Sequence, residues 1–253
     1  MEITEKSFWE IFWAKIKLPQ TVDYNFKNDR VIAETIKKYI PKCNFDKNVL
    51  EIGCAPGKWL VMFNKELNYK ICGFEYCEPA YYKTLENLEM NGIGKNVTDI
   101  KLIDFLNIEF KKTYDIVVSL GFIEHFENVE NIFNKHVQLL HDQSYLIIGV
   151  PNFKGLNYFI QSLIDKHIQQ KILPNHNLSV MNLKLLDSFA TTNNLNKVFS
   201  GYIGGFEPSL FNTEIDNTVL RFLLRLLIKL SSIIFGNINN KIVSGYILTI
   251  YKY

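Results

Sequence analysis

Residues 48–60, NVLEIGCAPGKWL, constrain the fold of this chain more than any other stretch. An apolar run, Val49-Leu50-Glu51-Ile52, ends at Gly53. The small residues Cys54, Ala55, Pro56 and Gly57 follow as a turn, and Lys58 to Phe63 open a helical pattern. A strand that runs through a Gly-rich turn into a helix offers bare backbone to a ligand. Spacing then sorts the ligands. Counted from Gly53, the dinucleotide pattern G-x-G-x-x-G meets Ala55 and Lys58 where its second and third glycines belong. A P-loop requires four residues between its glycines and a Ser or Thr after its Lys. Gly53 to Gly57 leaves three, and Trp59 follows Lys58. Both motifs fit poorly.

The rest of the chain alternates strand-like and helix-like segments. Strands are expected at 48–53, 70–75, 99–104, 114–120, 145–150 and 196–203, and in the closing GYILTIYKY. Helices are expected at about 57–67, from Glu78-Pro79 to Asn91-Gly92, through Ile132 to Leu140, and near 180–193. Strands one to five are continuous apolar runs, which implies a sheet covered on both faces and mostly parallel. With helices between strands this is an α/β, doubly wound architecture. Two helices precede it, at 7–18 and 29–40, and residues 1–44 are read as an N-terminal helical cap before a domain spanning 45–253. In the first, Phe8, Trp9, Phe12, Trp13 and Ile16 share one helical face. Such a helix packs on a domain flank or closes over a site as a lid.

Bulk properties exclude some classes. The 28 basic and 26 acidic side chains nearly cancel, so charge gives no footprint for nucleic acid. The four cysteines, Cys43, Cys54, Cys72 and Cys77, form no CxxC pair, so no metal site is expected and reduced cytoplasmic thiols are the default. The N-terminus, MEITEKSFWE, lacks the pattern of a signal peptide. The apolar run Val219–Phe235 is broken by Arg221, Arg225 and Lys229 and falls short of the roughly 20 residues that span a bilayer.

In open α/β sheets ligands bind beyond the carboxyl ends of the strands. Those ends read Glu51-x-Gly53-x-Ala55-x-Gly57, then Glu75-Tyr76, Asp104-Phe105, Ser119-Leu120-Gly121 and Pro151-Asn152. This set resembles the class I, Rossmann-like S-adenosylmethionine-dependent methyltransferases over roughly residues 45–205. Ala55 departs from the glycine of the family's first motif. The resemblance implies a seven-stranded, mostly parallel sheet in the order 3-2-1-4-5-7-6. It implies S-adenosylmethionine as cofactor and S-adenosylhomocysteine as product. It places the Gly53–Gly57 backbone against the methionine end, supported by Glu51. Glu75 then accepts from the ribose hydroxyls, Tyr76 packs on the adenine, Asp104 and Phe105 hold the adenine, and Ser119 and Gly121 line the sulfonium end.

SLGFIEHFENVENIF after strand four, with Pro151-Asn152, resembles the branch of ubiquinone-biosynthesis and surface-polysaccharide methyltransferases. The resemblance implies that His125 lies near the transferring methyl and that His176 is its companion in the next loop. Either is suited to take a proton from a hydroxyl near neutral pH. Residues 151–179, with a helix at Leu156–Ile168, are expected to form an acceptor loop, and 204–241 an insertion before the last strand. His136 and His141 read as surface residues. Arg221, Arg225 and Lys229 recur at one helical spacing, which fits a solvated stripe, a membrane-surface helix or a dimer contact. The expected function is O-methylation of a small polar acceptor in bacterial capsule or surface-glycan assembly, by a monomer or homodimer. Two alternatives stand beside it. APGKW resembles the turn of ribosomal RNA ribose methyltransferases, although Ser119-Leu120-Gly121 stands where their Asp motif belongs. A non-catalytic scaffold would bury the Phe8–Trp13 and Val219–Phe235 surfaces in a dimer.

Overall fold

A computed structural model describes residues 2–94, 98–108, 113–168, 171–205, 215, 217–235 and 238–253. Seven strands form one sheet: β1 (Asn48–Ile52), β2 (Lys70–Glu75), β3 (Thr98–Leu102), β4 (Tyr114–Leu120), β5 (Leu140–Pro151), β6 (Asn196–Ile203) and β7 (Tyr246–Lys252). Their order is β3-β2-β1-β4-β5-β7-β6, as the resemblance implies. The pairings among β1 to β5 are parallel, and β7 runs antiparallel to both β5 and β6.

The apolar strands are covered on both sides. On one face α2 (Lys27–Tyr39) and α3 (Lys58–Leu67) bury Ile32, Ala33, Ile36, Leu60 and Phe63 against Val49, Ile71 and Ile116. On the other, α5 (Val129–Val137) and α7 (Leu183–Thr192) bury Ile132, Phe133, Leu186 and Ala190 against Leu50, Val117 and Leu146. A third, smaller cluster joins Ile160 and Ile164 of α6 (Leu156–Asp165) to Leu224 of α8 (Thr218–Phe235), with Phe8 of α1 (Lys6–Ala14) packed against it. Helix starts follow local chemistry. Pro79 stands in the first turn of α4 (Glu78–Met90), and Asn128 and Asn182 cap α5 and α7 through their side-chain oxygens.

Some boundaries differ from expectation. The first helix stops at Ala14, well before Pro19, because Lys83 Nζ takes up the Ala14 and Ile16 carbonyls. Leu140 opens β5 instead of closing the preceding helix, since the chain around it pairs with Tyr114 of β4. The helix after Pro151 ends at Asp165, whose carboxylate accepts from the Ile172 and Leu173 N–H groups. Of the expected insertion at 204–241, residues 206–214, 216, 236 and 237 lie outside the described residues.

Gly149 in β5 is a close-approach position. A Cβ there would lie 2.5 Å from Leu120 Cδ2 and 2.7 Å from the Tyr246 ring. Gly149→Ala overpacks this junction, and chemical denaturation is expected to show a loss of about 1–3 kcal/mol.

Candidate active site

The parallel strands bring their carboxyl ends to one edge, and a cleft of about 480 Å³ opens there. Gly53, Glu75, Tyr76, Gly121 and His125 line it. A narrower pocket beside it, lined by Tyr76, Asp104 and Phe105, shares Gly53 with it. Seven of the twelve residues singled out from the sequence therefore face one continuous recess. Glu51, Ala55, Gly57, Ser119 and His176 stand behind it.

The Gly53 turn is shaped for close approach. Gly53 has φ +69°, and its N–H donates to the Phe74 carbonyl at 2.9 Å. A Cβ at Gly53 would lie 2.7 Å from the Phe122 ring. Gly57 closes the turn with φ +86° and an N–H donated to Cys54 at 2.6 Å. Beneath the turn Glu51 is buried, and one carboxylate oxygen has no hydrogen-bond partner. Burial raises its pKa well above the usual range, and Lys58 opposes that shift. Glu75 is also buried, and its Oε1 accepts from the Cys77 N–H at 2.9 Å. Burial pushes it up to about 7, against the pull of the Cys77, Ala55 and Tyr76 N–H groups. An orphaned carboxylate oxygen, a buried acid at the wall and a cradle that a single Cβ would fill suit a polar ligand with several donor groups.

Asp104 is partly committed. Its oxygens accept from the Leu106 N–H at 2.8 Å and the Asn107 side chain at 2.7 Å. Phe105 is buried with its ring 5.8 Å from Phe122 and 4.9 Å from His136.

Glu124, His125 and His176 cluster at one wall of the cleft. The His125 Nδ1–H donates to the Asn175 carbonyl at 2.8 Å, because a carbonyl can only accept. That leaves Nε2 with its lone pair, 3.9 Å from Glu124 Oε1. His176 donates Nδ1–H to Ile172 at 2.7 Å, and its ring centre lies 4.6 Å from that of His125. Burial lowers His125 to about 3, with His176 adding to the effect, and lowers His176 to about 4. Burial raises Glu124 to about 8, and its Oε2 lacks a partner. Ligand atoms of these three residues lie within 4.8 Å of one another, a grouping able to hold a metal ion where the sequence suggested none.

Two readings change. His136 is no surface residue. It is fully buried, with Nδ1–H donated to Ile132 at 2.8 Å and Nε2 3.0 Å from the Ser119 hydroxyl. Burial keeps it neutral, with a pKa near 4. Ser119 accordingly turns its hydroxyl to His136 rather than into the cleft.

The chain's start also enters the site, which sequence reasoning missed. Ile3 N–H donates to the His125 carbonyl at 2.8 Å, and Glu2 bridges to Phe126. Thr4 Oγ1 lies 2.9 Å from His125 Nδ1 and donates to Asn175. Trp9 stands edge-on to His125 at 4.7 Å, and Trp9 and Trp13 both line the cleft. The aromatic periodicity of residues 8–13 was the available signal for a lid. Nothing local marked Glu2 or Thr4.

This topology and edge cleft define a Rossmann-like methyltransferase fold. A family model described as "Methyltransferase domain" matches residues 24–200, and the chain belongs to that family. Its family and its fold are both those of methyltransferases. A probable (S)-tetrahydroprotoberberine N-methyltransferase 2 from Papaver bracteatum is 29% identical over 119 residues. That match covers 46% of this chain and only 32% of the relative. Among solved structures, a putative sarcosine dimethylglycine methyltransferase from Galdieria sulphuraria superposes with TM-score 0.62 at 13% identity, covering 98% of this chain and 97% of its own. Geranyl diphosphate C-methyltransferase from Streptomyces coelicolor A3(2), solved with Mg2+, geranyl diphosphate and S-adenosyl-L-homocysteine, gives TM-score 0.59 at 13% identity. It covers 88% of this chain and 79% of its own. At such identity these structures speak to fold alone.

Glu75 yields a pH prediction. Its folded pKa near 7 exceeds the ordinary 4.5, so the folded chain holds a proton that the unfolded chain releases first. The contribution to stability is full below about pH 4.5 and lost as pH rises through about 7. Without cofactor, Glu75→Gln is expected to melt above wild type by a margin that widens from about pH 5 to about pH 8. A constant margin in thermal melts contradicts the assignment.

Proposed function

We propose that this chain transfers a methyl group to an oxygen of a small polar acceptor held over His125. The acceptor is a sugar hydroxyl or a phosphoryl-type oxygen. The observation that carries this reading is the His125 imidazole, which lines the cleft and is fixed through Nδ1 on a backbone carbonyl, so that Nε2 is the nitrogen without a proton.

The residues divide into two tasks. On the donor side the Gly53–Gly57 backbone lies against the methionine end, with Glu51 beneath it. Glu75 accepts from the two ribose hydroxyls, Tyr76 and Phe105 enclose the adenine, and Asp104 accepts from its amino group. Gly121 leaves room beside the transferring methyl, and Ser119 reaches the site only by buttressing His136. S-adenosylmethionine, when bound, supplies a methyl group on a positively charged sulfur. On the acceptor side His125 takes the hydroxyl proton on Nε2. The positive charge thereby moves to the imidazole instead of being created anew in a buried site, which limits the desolvation cost. Trp9 and Trp13 cover the reaction from water, and their flat faces suit the C–H face of a sugar ring.

The setting we propose is bacterial capsule or surface-glycan assembly in the cytoplasm. It is supported by the Glu124-His125 and Pro151-Asn152 steps. Asn152 itself holds the turn before β7, donating to the Lys241 and Ser244 carbonyls.

One observation favours a second reading of the same pocket. Glu124, His125 and His176 could hold a divalent cation, with both imidazoles already oriented by carbonyl partners. A cation there would polarise the acceptor oxygen directly. Chelator dialysis separates the two: turnover survives it in the proton-transfer reading and disappears in the cation reading.

Glu75→Ala is expected to weaken S-adenosylhomocysteine binding at least about tenfold by calorimetry. His125→Ala is expected to keep that affinity and lower turnover of a hydroxyl acceptor about a hundredfold or more. Wild-type turnover in His125→Ala would make the histidine structural.

A further inference from the structure

Helix α8 is amphipathic in an unusual sense, because its solvent side is mostly apolar. The inner side, Leu220, Leu224, Leu227 and Ile228, packs into the third cluster with Ile160 and Ile164 of α6. The outer side carries Val219, Phe222, Leu223, Leu226, Leu230, Ile233 and Ile234, all exposed, with Val219 and Ile233 at 69% and Phe222 at 65%. At 100° per residue these seven fill a continuous arc of somewhat over 100°. Lys229 and Arg225 follow one border of that arc, while Arg221, with its Nε buried, stands further round towards the inner side. The segment 218–235 contains no acidic residue. Ile238 and Ile242 beyond it, and Tyr158 and Phe159 on α6, are exposed apolar side chains in the same subassembly. Lys241 adds a cation, close enough to Lys154 to lower the lysine's affinity for its proton, burial being the larger cause.

A soluble surface rarely leaves such an apolar arc open without a partner. The charge pattern decides which partner. A second copy that set α8 against α8 would offer its cations no acidic partner, because the helix carries cations alone. A bilayer with anionic headgroups answers both features: acyl chains accept the apolar arc, and phosphate-bearing headgroups meet the row of cations. No helix of the described residues is long and apolar enough to cross a membrane, so α8 would lie in the interface.

We infer that α8 is a membrane-surface anchor that docks this chain on an anionic lipid bilayer, with its apolar arc in the headgroup–acyl boundary and Arg225 and Lys229 on the phosphates. The inner side of α8 shares a cluster with Phe8, next to Trp9 over His125. The inference does not depend on which acceptor oxygen is methylated.

The test is sedimentation of the full chain with vesicles of phosphatidylglycerol and phosphatidylcholine, against vesicles of phosphatidylcholine alone. Wild type is expected to partition to the anionic vesicles and to release as salt rises. Each cation near an anionic surface contributes about fivefold, so Arg225→Gln/Lys229→Gln is expected to reduce partitioning about thirtyfold. Phe222→Ser/Ile233→Ser removes exposed apolar contact and is expected to abolish binding. Unchanged S-adenosylhomocysteine affinity in both variants confirms that they fold. Partitioning unchanged by either variant, or equal on neutral and anionic vesicles, overturns the inference. So does a solution dimer that Phe222→Ser/Ile233→Ser dissociates, since a second copy then covers the face.

Discussion

A parallel sheet packed on both faces leaves little room for charged side chains along the middle of its strands, and the rest of this molecule follows from that. β1, β2 and β4 bury Val49, Leu50, Ile71, Val117 and Val118 on alternate sides. Polar chemistry is displaced to the strand ends, where the backbone turns away. Glu51, Glu75, Asp104 and Gly121 therefore gather at one edge without any contact between them in sequence. The cleft is a consequence of the sheet's solvation requirement before it is a consequence of its ligand.

The edge is held in an electrically unfavourable state. Burial raises Glu51, Glu75 and Glu124 and lowers His125, His136 and His176, in each case by disfavouring the charged form. Two carboxylate oxygens, one on Glu51 and one on Glu124, have no partner. Unsatisfied buried groups of this kind cost stability and persist where a ligand completes them. A methyl donor with amino and hydroxyl groups offers donors of the kind these acids require. On the opposite wall burial holds His125 neutral, and a proton taken up there costs the desolvation of an imidazolium unless another positive charge disappears as it forms.

Much of this was legible in the sequence because it is local. The continuous apolar runs marked the strands, and several of the residues that end them marked the cleft. Gly53, Glu75 and Asp104 lie within a residue or two of a strand end, so a correct strand reading places them. What depended on distant contacts was not legible. His136 occupies a helix position that a polar side chain normally takes at the surface, and its burial rests on the Ser119 hydroxyl together with the Ile132 carbonyl. Glu2 and Thr4 reach the cleft through pairing with residues more than a hundred positions away. Leu140 fits a helical period as well as a strand, and its pairing with Tyr114 decides between them.

The most direct test of the donor assignment is hydrogen exchange with and without S-adenosylhomocysteine. The expected result is slowed amide exchange at Gly53–Gly57, Tyr76–Cys77 and Phe105–Leu106, with the Glu2–Thr4 strap protected alongside them. Binding that leaves these amides unchanged, or protects a different edge of the sheet, would contradict the account.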